Sequence, residues 1–349
     1  MPLTAPWEWD TWGDQSLRDR VDSTFATDTS LDLARSLSGL GSTPGTSSWS
    51  VLSAMATLGS INLSVARVVE PHIDAQAILH QARAAAPSDV TADAHQTWGV
   101  YAAHPPGTRV DAVPDQSDPS EPWTLRGAKH WCSLADRVSH ALLTATGPDG
   151  HHQLFALDLS GDGVSVESSQ WTALGLRDVT TGTVHLNDAP AYPVGEPGWY
   201  LDRPGFAWGG IAVAAIWFGA AAALAGELWA AAHRRKPDQI ALMHIGTCDV
   251  ALHTALLSLR AAAVTMDDTG ISAAAAGVVA ARTRAIVAQV AEQVMASVGH
   301  ALGPAPLAFD TAHATRIADL TLYLRQHHAE RDLAHLGTLV LTSAQGVSQ

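Results

Sequence analysis

A seven-residue segment in the middle of the chain combines residue types that could hold a planar ligand. It reads Gly-Ala-Lys-His-Trp-Cys-Ser over residues 127–133. Trp131 and Ser133 are two residues apart, so in a β-strand both side chains would project from the same face. The indole could then cover an aromatic ring while the hydroxyl donates a hydrogen bond to it. Packing of Trp131 in the protein core is the alternative interpretation.

Histidines near the C-terminus form a second group of residues that could take part in a reaction. The chain has 17 His, and two of them, His327 and His328, closely follow Arg325. Imidazole is the side chain that exchanges protons most readily near neutral pH. Adjacent residues point to different faces of a helix, so this pair cannot chelate a metal, and no metal site is expected. A solvated, salt-bridged helix end over residues 327–332 is the alternative.

The composition excludes several classes of protein. The 349 residues include 34 acidic and 20 Lys plus Arg side chains, a net charge of −14, so binding to nucleic acid or to an anionic membrane is not expected. Cys132 and Cys248 are too few for a disulfide framework or a cysteine zinc site. Residues 1–10 lack the apolar core of a signal peptide, which predicts a cytoplasmic location. Residues 207–226 are uncharged but rich in Ala and Gly, which favours a buried helix over a membrane span.

Three regions differ in pattern and predict an α+β multidomain fold. Residues 1–97 have helical spacing, with helices expected at 51–66 and 73–86 on either side of Pro71. Residues 98–202 contain short alternating runs and turns, typical of a small antiparallel β-barrel or sandwich with a hairpin over 140–159. Residues 203–349 predict an antiparallel four-helix bundle. Its helices are expected at about 206–233, 240–266, 271–302 and 313–340.

This order of regions, together with Gly-x-Lys-x-Trp-x-Ser in the β region, resembles the acyl-CoA dehydrogenase superfamily of flavoproteins from about residue 31 to residue 337. The resemblance implies FAD as cofactor. It places Trp131 against the isoalloxazine ring and Ser133 near its N5, with Cys132 between them in the same segment. Residues 297–303 resemble a degraded form of the flavin-contacting turn of the family, which adds Gly299 and His300 to the expected cofactor site.

The same resemblance implies partners. A homodimer or homotetramer is expected, because family members bury bundle faces against a second copy. The expected substrate is an acyl-CoA or another small molecule, and an electron acceptor or reductase is a further partner to consider.

The chain departs from the family at the catalytic position. Arg325 occupies the position of the usual catalytic glutamate of the family. A guanidinium stays protonated, so Arg325 cannot act as a base. The alternative position used by some branches reads about Gly209. The flavin-contacting loop of the family is replaced at residues 101–108. The candidates nearest the missing carboxylate are therefore Arg325, His327 and His328.

Three functions remain open from the sequence. The first is an FAD-dependent oxidoreductase that acts on a CH–CH group of an acyl thioester, or of a related molecule, with a non-standard base such as His327 or His328. The second is a flavin-dependent monooxygenase in which Arg325 binds an anionic or electron-rich substrate. The third is a non-catalytic paralogue that binds flavin or an acyl thioester.

Overall fold

A computed structural model of the chain describes residues 9–21, 27–82, 95–115, 122–168, 171–268 and 270–346. Along these ranges the chain forms helices first, then seven strands, then helices again. This is the order of elements that the α+β prediction gives.

The N-terminal helices differ from the expected ones at their breaks. The break falls at Asn62, whose Oδ1 accepts the backbone N–H groups of Ser64 and Val65 at 2.9 and 3.1 Å and so caps the following helix. Pro71 lies inside that helix, so the prediction of two helices separated at Pro71 is wrong. Residues 83–86 of the second expected helix lie outside the described residues. The helices are α1 (Trp9–Trp12), α2 (Gln15–Arg20), α3 (Thr27–Ser36), α4 (Ser48–Ile61) and α5 (Leu63–Ala82), with a 3₁₀ turn at Ser38–Ser42.

The strands form one sheet in which β2, β3, β7, β5 and β4 close into a five-stranded ring, with β1 beside β4 and β6 beside β7. The expected hairpin is confirmed as the antiparallel pair β4–β5. The sheet is not wholly antiparallel, because β4 pairs in parallel with β1 and with β2. Both parallel pairs join strands that are far apart in sequence, as parallel pairing requires. The strands are β1 (Trp98–Tyr101), β2 (Val110–Val113), β3 (Trp123–Ser133), β4 (His140–Thr146), β5 (His152–Asp158), β6 (Val164–Ser168) and β7 (Thr181–Val194).

Three of the four expected bundle helices are present, and the fourth is interrupted. It ends at Tyr323, turns once as a 3₁₀ helix over Leu324–Gln326 and resumes at Glu330. Ala329 has a φ of 46°, which a right-handed helix cannot accommodate. The prediction of one continuous helix over 313–340 is therefore wrong. The elements are α6 (Trp199–Asp202), α7 (Pro204–Arg234), α8 (Gln239–Met266), α9 (Ala273–Leu302), α10 (Ala305–Phe309), α11 (Thr311–Tyr323) and α12 (Glu330–Gly346).

The uncharged segment forms most of α7, which packs closely against α4. A Cβ on Gly219 would stand 1.9 Å from the carbonyl oxygen of Ala56, and one on Gly59 would stand 2.2 Å from that of Ile216. The two backbones therefore touch only because both positions are glycine. By length and composition α7, α8 and α9 could each cross a membrane, but 78% of the apolar window of α7 is buried inside the protein.

Candidate functional site

A cleft of about 880 Å³ lies between the β-sheet and the helices. Its sheet side is formed by residues of the strands and of the loop before β7, and its helix side by residues of α5, α9, α11 and the 3₁₀ turn that follows α11. The sheet side includes Tyr101, Trp131, Ser133, Trp171 and Thr181, and the helix side includes Arg67, Arg284, Tyr323, Arg325 and Gln326. A cleft of this size is typical of a binding site for a cofactor or drug-sized molecule.

Trp131 reaches the cleft because β3 contains a bulge. Lys129 pairs with Val184 and Cys132 with Gly182, so β3 has one more residue than β7 between these two pairs. Trp131 has a φ of 62° within the bulge, and its side chain is 63% exposed. The extra residue turns Trp131 outward, although simple alternation would place it on the same face as the buried Lys129. The bulge was not predicted from the sequence.

Ser133 also lines the cleft, one strand position beyond the bulge. Its hydroxyl lies 3.1 Å from Oγ1 of Thr181, and Arg67 donates to it from Nη2 at 3.4 Å. Tyr101 donates its hydroxyl to the backbone carbonyl of Ser133 at 3.0 Å, which holds the end of the strand. Trp131 and Ser133 thus share one wall, as the strand alternation predicts.

Cys132 points the other way. Its side chain is fully buried, and its thiol donates to the carbonyl of Lys129 at 3.2 Å. Burial raises the pKa of Cys132 to about 12, so the sulfur stays protonated. The structure does not bring Cys132 to the cleft, although the sequence analysis placed it in the cofactor site.

The cleft is locally cationic in an acidic chain. Three arginines, Arg67, Arg284 and Arg325, line it together with His104 and His328, and no Asp or Glu among the described residues does so. The chain as a whole has a net charge of −14. Arg67 and Arg325 form ion pairs with Glu70 and Glu292, but neither carboxylate lines the cleft, so the described lining presents cations to a ligand that carries negative charge.

Two buried polar groups at the cleft have no hydrogen-bond partner among the described residues. They are Nε1 of Trp171 and the hydroxyl of Tyr323. Buried polar groups are nearly always hydrogen-bonded, so unpaired ones beside a cleft are candidates for binding a ligand. The lining of the cleft fits a planar, anionic, heteroatom-rich cofactor such as a flavin. It combines an aromatic wall with a neighbouring hydroxyl, several cations and two unpaired donors.

The three residues expected near the missing glutamate occupy different environments. Arg325 lies on the surface and forms an ion pair with Glu292. His328 is exposed, with Nδ1 3.3 Å from Oδ1 of Asp332. His327 is buried, and its Nε2 has no hydrogen bond and lies 3.9 Å from Oδ2 of Asp332. Burial lowers the pKa of His327. Both histidines lie in the interruption between α11 and α12, so the prediction that they lie on a helix is wrong.

A second pocket of about 530 Å³ adjoins the cleft and shares Arg284, Gln326 and His328 with it. Two carboxylates of α5, Glu70 and Asp74, line this second pocket. Neither residue was expected from the sequence. The available signal was the spacing of four between the two acidic residues, which places them on one face of a helix.

Glu70 is a buried carboxyl group that forms an ion pair with Arg67. Only 8% of the residue is exposed, and its Oε2 lies 3.2 Å from Nη1 of Arg67. Burial raises the pKa of Glu70 to about 7, against the opposing effect of Arg67. Burial also raises the pKa of Asp74, against the opposing effect of Arg203. A carboxyl group that titrates near neutral pH can both accept and donate a proton there.

Gly299 and His300 lie far from the cleft. They are near the end of α9, fifteen residues beyond Arg284, which corresponds to about 22 Å along the helix. A Cβ on Gly299 would meet no atom within 4 Å, and the His300 ring lies 6.0 Å from that of His244. Within one copy of the chain these two residues do not join the cleft. Among the described residues no group of three or more metal-ligating side chains could hold a metal ion.

No protein-family model and no curated protein sequence matches the chain. Solved structures do match it along nearly its whole length. Glutaryl-CoA dehydrogenase from Mycobacterium smegmatis is 15% identical with a TM-score of 0.73, over 89% of this chain and 87% of that one. KijD3, in complex with FMN and an amino-keto sugar nucleotide, is 19% identical with a TM-score of 0.76, over 97% and 90%.

A third match is the dibenzothiophene monooxygenase TdsC from Paenibacillus sp. A11-2. It is 16% identical with a TM-score of 0.72, over 95% of this chain and 98% of that one. At these identities the likeness is one of fold. The chain has the fold of the acyl-CoA dehydrogenase superfamily, as the motifs of its β region indicate.

Proposed function

We propose that the chain is a flavin-dependent oxidoreductase whose cationic cleft holds the flavin and whose second pocket holds a small-molecule substrate. The observation that carries the proposal is the exposed Trp131, which the bulge of β3 turns into a cleft lined by three arginines and no described carboxylate. An aromatic wall beside cations is the combination that a planar, anionic cofactor needs.

Different residues of the cleft would contact different parts of the flavin. Trp131 would cover the ring, and the Ser133 hydroxyl would hydrogen-bond at its edge. Arg67 and Arg284 would offset the negative charge of the cofactor. Bound flavin would supply hydride exchange and, when reduced, the reduction of molecular oxygen. FMN is a candidate beside the expected FAD, because FMN is bound in structures of both TdsC and KijD3.

We infer oxygenation of a small molecule as the reaction that the site supports best. The base that the resemblance implies for dehydrogenation is absent from its expected position, because Arg325 there is an ion-paired guanidinium. The monooxygenase TdsC shares the fold. Reduced flavin would then come from a separate reductase.

Dehydrogenation of an acyl thioester is the second candidate, and His327 favours it. This imidazole lines the second pocket, is buried, and has an unpaired Nε2. Burial lowers its pKa, so it is neutral and able to accept a proton at physiological pH.

Reconstitution distinguishes these functions. The purified chain is incubated with FMN or FAD, and the flavin-loaded protein is then tested in two ways. Oxygen consumption that depends on reduced flavin and forms a hydroxylated product supports the monooxygenase. Anaerobic bleaching of the flavin by an acyl-CoA supports the dehydrogenase. A chain that takes up neither FMN nor FAD contradicts both functions and leaves a non-catalytic role.

We also propose that the chain forms a homodimer or homotetramer through α8. Four apolar side chains are exposed there at a spacing of seven residues, which gives one stripe along the helix. They are Met243, Val250, Leu257 and Val264, each more than half exposed. Sedimentation of the chain and of Leu257→Arg tests this, since the substitution should yield a monomer. A cytoplasmic location and the absence of a membrane span stay predictions from the sequence.

A further inference from the structure

The second pocket has both charged and apolar walls. Glu70 and Asp74 from α5, Arg203 at the start of α7 and Arg284 from α9 form one charged group, called the polar end below. A third carboxylate, Asp332 of α12, also lines the pocket, together with His327, His328 and His335. The apolar wall is formed by small and apolar residues of α7 and α9, among them Phe206, Val213, Gly277, Ala280 and Ala281. Such a pocket takes a molecule that has an apolar part and a polar group.

Two glycines of α7 give these charged groups access to the pocket. A Cβ on Gly209 would stand 3.0 Å from Oδ1 of Asp74, and one on Gly210 would stand 3.1 Å from Cδ of Arg284. The absence of side chains at these positions leaves room for the carboxylate and the guanidinium. Arg284 is held in place because it donates from Nη1 to the carbonyl of Gly210 at 2.8 Å.

The mixed charge at the polar end restricts the substrate. A permanent cation would be repelled by Arg203 and Arg284, and a permanent anion would be repelled by Glu70 and Asp74. A neutral molecule that becomes an anion by losing a proton is compatible with both the arginine pair and the carboxylate pair. The carboxylate can accept the proton, and the guanidiniums can stabilise the anion that forms.

We propose that Glu70 is a catalytic residue that accepts a proton from a neutral weak acid, a phenol or an N–H compound of similar acidity, bound in the second pocket. The O–H or N–H bond of the substrate breaks, the proton goes to a carboxylate oxygen of Glu70, and the electron pair stays on the substrate atom beside the arginines. The inference deepens the proposed function, on which it depends for the identity of this pocket as the substrate site.

Glu70 lies at the boundary between the two sites. Arg67 contacts Oε2 of Glu70 at 3.2 Å on one side and the Ser133 hydroxyl at 3.4 Å on the other. A substrate that delivers its proton to Glu70 is therefore next to the cleft. The charged and titratable groups that face Glu70 are Arg67 and Asp74 from α5, Arg284 from α9, Tyr323 from α11 and Tyr200 from α6.

The raised pKa of Glu70, about 7, agrees with this role. Near neutral pH a large fraction of the group is ionised and free to take a proton, and the conjugate acid is strong enough to return it.

The test uses 4-nitrophenol, a phenol of near-neutral pKa whose neutral and ionised forms absorb at different wavelengths. Calorimetric titration of the full chain above pH 7, in two buffers of different ionisation enthalpy, counts the protons taken up on binding. Absorbance reports the form of the bound probe. The wild type should take up about one proton per bound probe while the probe stays ionised, because two adjacent anions share a proton.

Glu70→Gln should bind the ionised probe without proton uptake, and Glu167→Gln, an exposed carboxylate on β6, should behave as the wild type. The inference is overturned if the wild type binds no probe, if its ionised probe binds without proton uptake, or if Glu70→Gln keeps the wild-type behaviour. Difference infrared spectra of the wild type give a second test without a variant, since probe binding should create a protonated carboxyl band. Flavin uptake is measured separately, so failure of the proposed function is distinguished from failure of this inference.

Discussion

The carboxylate of Asp74 lies directly beside Gly209, where a Cβ would stand 3.0 Å from its Oδ1. Asp74 belongs to α5 and Gly209 to α7, so two helices together create the polar end of the second pocket. The glycine is thus part of the site although it has no side chain of its own.

Gly209→Ala should displace the Asp74 carboxylate, because 3.0 Å is closer than a Cβ normally approaches an oxygen. We expect binding of 4-nitrophenol to weaken by about tenfold, or about 1.4 kcal/mol. Gly277→Ala is the matched control, since its Cβ would line the same pocket with its nearest neighbour at 3.9 Å. Equal affinities for the two variants, measured by titration calorimetry, would mean that Gly209 has no such role.

Gly219→Ala should destabilise the protein, because its Cβ would overlap the carbonyl of Ala56 at 1.9 Å and force α4 and α7 apart. We expect a loss of about 3 kcal/mol in the free energy of unfolding, measured by denaturant titration. Gly246→Ala lies in α8 with no atom within 4 Å of its Cβ, and should instead gain about 0.5 kcal/mol from helix propensity. An unchanged free energy of unfolding in Gly219→Ala would contradict the backbone contact between the two helices.

Glu70→Gln should remove a pH dependence of stability. The pKa of Glu70 is about 7 in the folded chain and 4.5 as its ordinary value, so between these values the folded state binds more protons than the unfolded one. The contribution of Glu70 to wild-type stability is therefore greatest below about pH 4.5 and falls by about 3 kcal/mol as the pH rises through 7. Relative to the wild type, Glu70→Gln should gain stability over this window, as followed by denaturant unfolding at several pH values. A difference that does not change with pH would contradict the raised pKa.

Arg284→Met and Arg325→Ala should differ in stability. Arg284 donates to the carbonyls of Gly210 and Gln326 at 2.8 and 3.0 Å and lies 4.9 Å from the Trp217 ring, so its loss should cost about 2 kcal/mol. Arg325 forms an exposed ion pair, so its loss should cost less than about 1 kcal/mol. Thermal or denaturant unfolding of both variants measures the difference, and a larger loss for Arg325→Ala would contradict the structure.

The sequence predicts those features that depend on local patterning. The turn at residues 147–150 predicts the β4–β5 hairpin. Long runs of apolar residues at helical spacing predict three bundle helices, with ends that lie within a few residues of those in the structure. Trp131 and Ser133 were placed on one face by simple alternation, although the bulge that turns Trp131 outward has no clear sequence signal.

Features that depend on tertiary structure were missed. The positive φ of Ala329 interrupts the fourth bundle helix, and nothing in its local composition marks that position. Glu70 and Asp74 meet their arginines only after α5, α7 and α9 have packed together, so their spacing of four places them on one face of a helix but does not show which cations they face. Glu70 comes from α5, whereas Arg325 and Gly209 belong to other elements far along the chain, so proximity in sequence to those two positions does not reveal it.

Titration of the chain with FMN and FAD, followed by flavin absorbance and protein fluorescence, tests whether the cleft holds a flavin. We expect about one flavin bound per chain, with affinity reduced by about tenfold or more in Trp131→Ala and also reduced in Ser133→Ala. Phe309→Ala removes an 89% exposed aromatic side chain elsewhere and should bind flavin as the wild type does. No flavin binding by the wild type, or unchanged affinity in Trp131→Ala, would contradict the assignment of the cleft.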